Sequence, residues 1–183
     1  LCAGTAFAAT NELEEIVVTA QKQEQKLSET PLSVTVLSST DLTALAATQF
    51  RDFANTVPGL GFTSEGVGST QINLRGITSG GSVSPTVGIY VDEVPYGSST
   101  AFAGAAGLAL DVGLFDLNRV EVLRGPQGTL YGASTMGGLL KYVTTAPDLQ
   151  KFGGKVRAGL SATDDGDINY DVASAVNLPF GSD

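Results

Sequence analysis

The types of residue that are missing narrow the chemistry open to this chain. Its 183 residues include no His and a single Cys. Ser-His-Asp and Cys-His catalysis, and zinc sites that use His, therefore have nothing to be built from. One Cys cannot close an internal disulfide. Ser134 stands in Gly132-Ala133-Ser134-Thr135-Met136-Gly137, which is not a G-x-S-x-G elbow and has no base beside it, so it reads as a loop serine. Asp164-Asp165-Gly166-Asp167 lacks the ligand spacing of an EF-hand and reads as a turn. The glycines of GLGFTSEG do not make a G-x-G-x-x-G that opens a helix after a strand, and no phosphate-cradling G-x-x-x-x-G-K-[ST] occurs. The 19 acidic and 10 basic residues give a net charge of −9, which repels a phosphate backbone and argues against nucleic acid as partner. What remains is the chemistry of the main chain. Glu14-Glu15-Ile16-Val17-Val18-Thr19-Ala20 reads as a strand with no obvious partner in the chain, followed by the polar QKQEQKLSETPL, and its N–H and C=O groups call for a partner sheet edge outside the chain, against the alternative that it joins the sheet of its own domain.

Elements that could position such a segment follow from periodicity. With 42% apolar residues the chain can bury a core of one or two domains. Residues 1–9 read as the tail of a signal peptide, with Ala6-Phe7-Ala8 in the A-x-A form, against the alternative of an apolar terminus with no sorting role. Cys2 is then an apolar-region residue rather than a lipid anchor. No run of about 18 apolar residues exists, and AFAGAAGLAL at 101–110 is too short to cross a membrane as a helix. SVTVLS at 33–38 alternates as a strand, and Ser38 and Asp41 have capping-box spacing. The helix they open would bury Leu42, Leu45, Ala46, Phe50, Phe53, Ala54 and Val57, with a break near Thr48 and a stop at Pro58-Gly59.

Residues 59–88 read as glycine-rich loops around one strand-like insert, Ile72 to Ile77. VGIYVDEVPYG predicts a half-buried strand ending in a turn at Pro95, GLALDVGLFDL a partly helical connection, and RVEVL at 119–123 a strand. Gly125-Pro126-Gln127-Gly128 carries the residues of a type I turn and predicts a sharp reversal into a strand in LLKYVTTAP. Beyond residue 150 the pattern changes. Val156, Ala158, Leu160 and Ala162 alternate with Lys155, Arg157, Gly159 and Ser161, and Ile168, Tyr170, Val172, Val176 and Leu178 alternate with Asn169, Asp171 and Asn177. Two such runs of about ten residues joined by a short turn match membrane β-barrel strands, apolar toward lipid and polar toward the lumen. A lone hairpin with open edges cannot span a membrane, so the chain is expected to belong to a longer protein.

Taken together, EEIVVTA, SVTVLSSTDL, NTVPGL, INLRGI, GIYVDEVPYG and RVEVLRGPQGTLYGASTMGGLLKYVTTAP resemble, in order and spacing, a TonB-dependent outer-membrane receptor. One departure is Ala133-Ser134 and Leu-Leu-Lys-Tyr-Val-Thr, where the family commonly has an Arg-Asn type pair and an Ala-Ile-Asn-Ile-Val-Thr strand. The resemblance implies an α+β fold: a plug with a small mixed sheet and short helices, followed by the first antiparallel hairpin of a transmembrane β-barrel. It divides the chain into the TonB box and a flexible linker (10–31), the plug (32–150) and two barrel strands (151–183). It implies that Glu15, Ile16, Val17, Val18, Thr19 and Ala20 form the TonB box, which adds as a strand to the periplasmic domain of TonB, itself driven by the inner-membrane proton gradient. It also implies that Arg75 and Arg124 latch the plug to barrel glutamates outside these residues, although for Arg124 a partner inside the plug, Glu121 or Asp92, competes. Apical loops would contribute Ser69, Thr70, Ser82, Ser84, Ser98 and Ser99 to a small-molecule ligand, most commonly a ferric siderophore, with no resident cofactor or metal and no bond chemistry. The competing class is a soluble periplasmic binding or secretion-associated module, which would not need lipid-facing alternation after residue 154.

Overall fold

The computed structural model describes residues 16–64, 70–79, 85–96, 113–162, 166 and 168–179. At its start, β1 (Val17–Val18) and β2 (Gln25–Lys26) pair antiparallel, and a 3-10 turn covers Leu27–Glu29. The segment between β1 and the next strand is thus folded, where its polarity had suggested a flexible tether. Lys22 at φ 59 turns the chain back, so that residues of the linker itself become the partner of β1.

β3 (Ser33–Ser38) leads into α1 (Ser39–Ala44), and the capping box between Ser38 and Asp41 forms as the spacing predicts. The expected long helix is two short ones. α1 ends in a Schellman arrangement, Ala47 N–H donating to Leu42 C=O and Ala46 N–H to Thr43 C=O, with Ala46 at φ 49. α2 (Phe50–Ala54) restarts with Asp52 accepting from the N–H groups of Thr48 and Gln49. Because the axis is broken, Leu45 is left exposed while Phe50, Phe53, Ala54 and Val57 are buried. Phe50 packs edge-on against Phe53 and Phe62 with ring centroids 5.4 and 5.5 Å apart.

The stretch after Gly59, expected as loop, contains β4 (Leu60–Ser64), which pairs antiparallel with β5 (Thr70–Leu74). Alternation of Leu60 and Phe62 with small polar residues was the signal for β4, and the surrounding glycines obscured it. β6 (Val87–Val91) turns at Asp92, φ 52, into β7 (Val94–Pro95), so the turn precedes Pro95 rather than falling on it. β6 is buried on both faces, not one, because it runs parallel to the central strand β9. The expected helix in 107–117 falls partly outside the described residues; those described, 113–116, form a turn leading into β8 (Leu117–Arg124). The reversal after Arg124 is wider than the predicted tight turn: α3 (Gly128–Tyr131) intervenes before β9 (Gly138–Thr144) returns antiparallel to β8. Gly138 at φ 149 is required there, since a Cβ would lie on the Leu123 carbonyl.

The sheet has the order β3-β8-β9-β6-β7. On one face, Val87, Ile89, Val120, Val122, Leu140 and Tyr142 pack under α1, α2 and the β4–β5 hairpin. On the other, Tyr90, Leu123 and Leu139 pack under Val18, Ala20 and Tyr131. The sheet is therefore the middle of three layers, and the N-terminal hairpin is part of the third.

β10 (Gly153–Ala162) and β11 (Ile168–Asn177) form the long antiparallel hairpin that the alternation predicts, with Leu160 opposite Tyr170 and Ala158 opposite Val172. Val156, Leu160, Ile168, Tyr170, Val172 and Val176 are 65–82% exposed on its outer face. Its other face carries Lys155, bonded to Asp116 at 3.0 Å, and Arg157, which sits over the Phe115 ring and bonds Asp171 at 3.3 Å.

Candidate functional site: a docked N-terminal strand

Residues 16–20 lie against the sheet face that carries Glu121 and Lys141. These two are opposite one another in the β8–β9 register, and both are essentially inaccessible, at 0% and 1% exposure. A charged pair in such a position is costly unless each member is hydrogen-bonded. Thr19 supplies much of what they need. Its N–H donates to Glu121 Oε1 at 3.0 Å and its hydroxyl to the same oxygen at 3.3 Å, while its C=O accepts from Lys141 Nζ at 3.2 Å. Arg119 Nε also bonds Glu121 Oε1, at 2.7 Å, and Lys141 bonds Glu93. The second oxygen of Glu121 is buried without a hydrogen-bond partner among the described residues.

Tyr131, delivered by α3, closes the other side. Its hydroxyl donates to Ala20 C=O at 3.0 Å and approaches Thr19 C=O at 3.3 Å. Tyr90 donates to the Tyr131 carbonyl at 2.6 Å and stacks edge-on against its ring, and Lys22 lies 5.3 Å above that ring. Burial, reinforced by the charges of Glu93 and Glu121, pushes the Tyr131 phenol well above its ordinary value. Burial, then Glu93, raises Tyr90 as well. Both phenols are therefore held as neutral donors.

Of the segment singled out from sequence, Ile16 and Val17 are roughly half exposed, Val18 and Ala20 are buried, and Glu15 lies outside the described residues. The expectation that this strand has no partner in its own chain is not what the structure shows. It pairs with β2 on one side and meets side chains of β8, β9 and α3 on the other. Sequence reasoning treated Glu121 only as a partner for Arg124 and passed over Lys141 and Tyr131. The available signal was a lone charge at a core-facing position in each of RVEVL and LLKYV.

Arg75 and Arg124 are brought to one corner. Arg75 sits at φ 58 in the turn after β5, its N–H donating to Gly59 C=O at 2.8 Å and its guanidinium lying against Gly125. Arg124 Nη1 reaches the neighbouring Pro58 carbonyl at 3.4 Å, and its Nε is buried without a hydrogen-bond partner among the described residues. Neither arginine makes an ion pair among the described residues. The two in-plug acids considered for Arg124 are engaged elsewhere: Glu121 with Arg119, and Asp92 with the Thr144 N–H and hydroxyl, both at 2.9 Å. Thr70 opens β5 and is half-buried. Ser69, Ser82, Ser84, Ser98 and Ser99 lie outside the described residues. Among the described residues no group of acidic or Cys side chains is arranged to hold a metal ion.

A mixed sheet with short helices and an antiparallel hairpin at its end agrees with comparisons to known proteins. Residues 26–139 match the TonB-dependent Receptor Plug Domain, and the chain belongs to that family. It is 34% identical over 184 residues to the pesticin receptor of Yersinia pestis, a match that covers 97% of this chain and 26% of that protein. Among solved structures, the ferric yersiniabactin uptake receptor FyuA of Yersinia pestis superposes with a TM-score of 0.54 at 30% identity, covering 79% of this chain and 24% of that one. The ferripyoverdine receptor of the outer membrane of Pseudomonas aeruginosa shares the fold, with a TM-score of 0.63 at 19% identity over 86% of this chain and 22% of its own. The chain thus spans about a quarter of the length of these relatives.

Proposed function

We propose that this chain provides the coupling segment, plug and first barrel hairpin of a receptor in the bacterial outer membrane that takes up a scarce small molecule. A ferric siderophore is the cargo we favour, since one relative is named a ferric yersiniabactin uptake receptor, with hemin and vitamin B12 the cargoes in the names of others. In this reading the plug fills the barrel lumen, and Glu15–Ala20 is gripped from the periplasm by TonB through strand addition. Arg75 and Arg124, side by side and without carboxylates among the described residues, suit a latch to acids on the barrel wall. Ser69, Thr70, Ser82, Ser84, Ser98 and Ser99 are the proposed contacts to the ligand. The protein moves its cargo and makes or breaks no covalent bond.

The observation that carries this reading is the β10–β11 hairpin. Its outer face presents six large apolar side chains, each more than 60% exposed, and its inner face is tied to the plug through Lys155, Asp116 and Asn177, whose Nδ2 donates to the carbonyls of Asp148 and Lys151. Such a surface suits lipid on one side and a filled lumen on the other. The test is fractionation of the full-length gene product. It is expected in outer membranes, released only by detergent; recovery as a freely soluble periplasmic protein would overturn the reading in favour of a binding module.

A further inference from the structure

We infer that residues 149–152, where the chain passes from the plug into the hairpin, form an anchor in the lipid interface, with Leu149 and Phe152 seated among phospholipid headgroups and the first acyl carbons. The inference rests on the reading of β10–β11 as barrel wall. Phe152 and Leu178 sit one step beyond the last registered pair, Gly153 with Asn177, and share the parity of the outward residues Val156, Leu160 and Tyr170. From Phe152 to the end of β10 at Ala162, and from the start of β11 at Ile168 to Leu178, no residue of that parity is charged. Lys155, Arg157 and Asp171 all have the other parity. At about 3.3 Å per residue the uncharged strip is roughly 33 Å long. A strand tilt of about 40° gives it a height of about 25 Å, the height of the apolar band of a membrane barrel. Phe152 and Leu178 therefore mark the rim of the band, and Leu149 lies past it at the depth of the headgroups.

The turn at this rim is braced. Asp148 Oδ1 accepts from the N–H groups of Gln150 and Lys151 at 2.9 and 3.1 Å. Asn177 Nδ2, on β11, donates to the carbonyls of Asp148 and Lys151 at 2.7 and 2.6 Å. These main-chain polar groups are bonded within the protein, which lowers the cost of holding the turn where water is scarce. Its large apolar side chains are left outward, Leu149 75% and Phe152 73% exposed. A leucine and a phenylalanine fixed in that way, continuous with a larger apolar face, mark an interaction surface rather than scattered surface residues. The connection from the plug is thus fastened at the lipid rim of the wall and not inside the lumen.

Spin labels on single cysteines at Leu149, Phe152, Ala158 and Glu29 test this in the full-length receptor, freed of its native cysteines, Cys2 included, and reconstituted in vesicles of phosphatidylethanolamine and phosphatidylglycerol. Power saturation compares access of oxygen, which partitions into lipid, with access of a nickel chelate, which stays in water. Ala158, in the middle of the strip, reports the wall, and Glu29, exposed on the 3-10 turn, reports water. The oxygen-to-nickel ratio at Leu149 and Phe152 is expected to exceed that at Glu29 about threefold or more, with Ala158 higher still. No oxygen preference at Ala158 would remove the wall reading and the anchor with it. Oxygen preference at Ala158 with ratios at Leu149 and Phe152 equal to that at Glu29 would leave the wall standing and overturn the anchor. Exclusion of both probes from Leu149 and Phe152 would also overturn it, since a neighbouring strand or a second copy would then be covering them.

Discussion

At the scale of single residues, the docked segment depends on groups that must hold a fixed protonation state. Tyr131 is the clearest case, since burial and the nearby carboxylates favour its neutral form in the folded protein. Its folded pKa lies above the ordinary value of 10.0, so the stability it contributes is complete below pH 10.0. That contribution is lost as pH climbs above this, because the unfolded or undocked phenol ionises first. A phenolate absorbance titration of the full-length protein should show a step displaced above the ordinary tyrosines that disappears in Tyr131→Phe; an identical titration curve for the two proteins would contradict the assignment. Asp41, in contrast, is held below its ordinary value by Ser38, but it is exposed and affects only the start of α1. The residues that hold the docked segment were the least legible part of the sequence. Thr19 meets partners 102 and 122 positions away, and local pattern carries no information about such distances. What could be read was the strand propensity of Ile16 to Thr19, together with its apparent lack of a partner. That second feature misled, because β2 is built from Gln25 and Lys26, which look like linker.

At the scale of elements, the sequence was legible wherever a local rule had a single solution. Capping by Ser38 and Asp41, alternation in SVTVLS and RVEVL, and the dyad pattern of the last two strands all reappear in the structure. The break between α1 and α2 was placed near Thr48, and the chain departs from the helix two residues earlier, at Ala46. The Schellman end there is normally made by glycine, whose missing Cβ makes positive φ easy. Ala46 accepts that strain at φ 49 while exposed to solvent. Ala46→Gly is therefore expected to stabilise the plug by about 0.5–1 kcal/mol, read as a shift in its denaturant midpoint. A destabilisation of similar size would mean that Ala46 packs in a way its exposure does not indicate. β4 was missed because glycines at 59, 61 and 66 suggested loop. Its stability comes from pairing with β5 and from Phe62 packing on Phe50, both non-local.

At the scale of the whole molecule, three layers and one appended hairpin give each surface a separate task. The helices and β4–β5 cover one face of the sheet and make the body of the plug. The N-terminal hairpin covers the other and can in principle leave it without opening the first core, since Val18 and Ala20 belong to a separate apolar cluster. β10–β11 faces outward with an apolar surface, which suits the wall of a barrel. Family membership and the fold class, a mixed-sheet plug followed by an antiparallel hairpin, were both legible before any coordinates. What sequence alone could not supply was the docking of residues 16–20, because it is decided by buried charges on β8 and β9 rather than by those residues themselves.

The central claim is that an extended piece of main chain, stored on the plug, is handed to a foreign sheet. Capture of the full-length receptor by the periplasmic domain of TonB, compared with that of its Val17→Pro variant, tests this most directly, since Pro removes a main-chain donor without changing charge. The account predicts that capture falls by about tenfold or more in the variant; equal capture of the two proteins would contradict it.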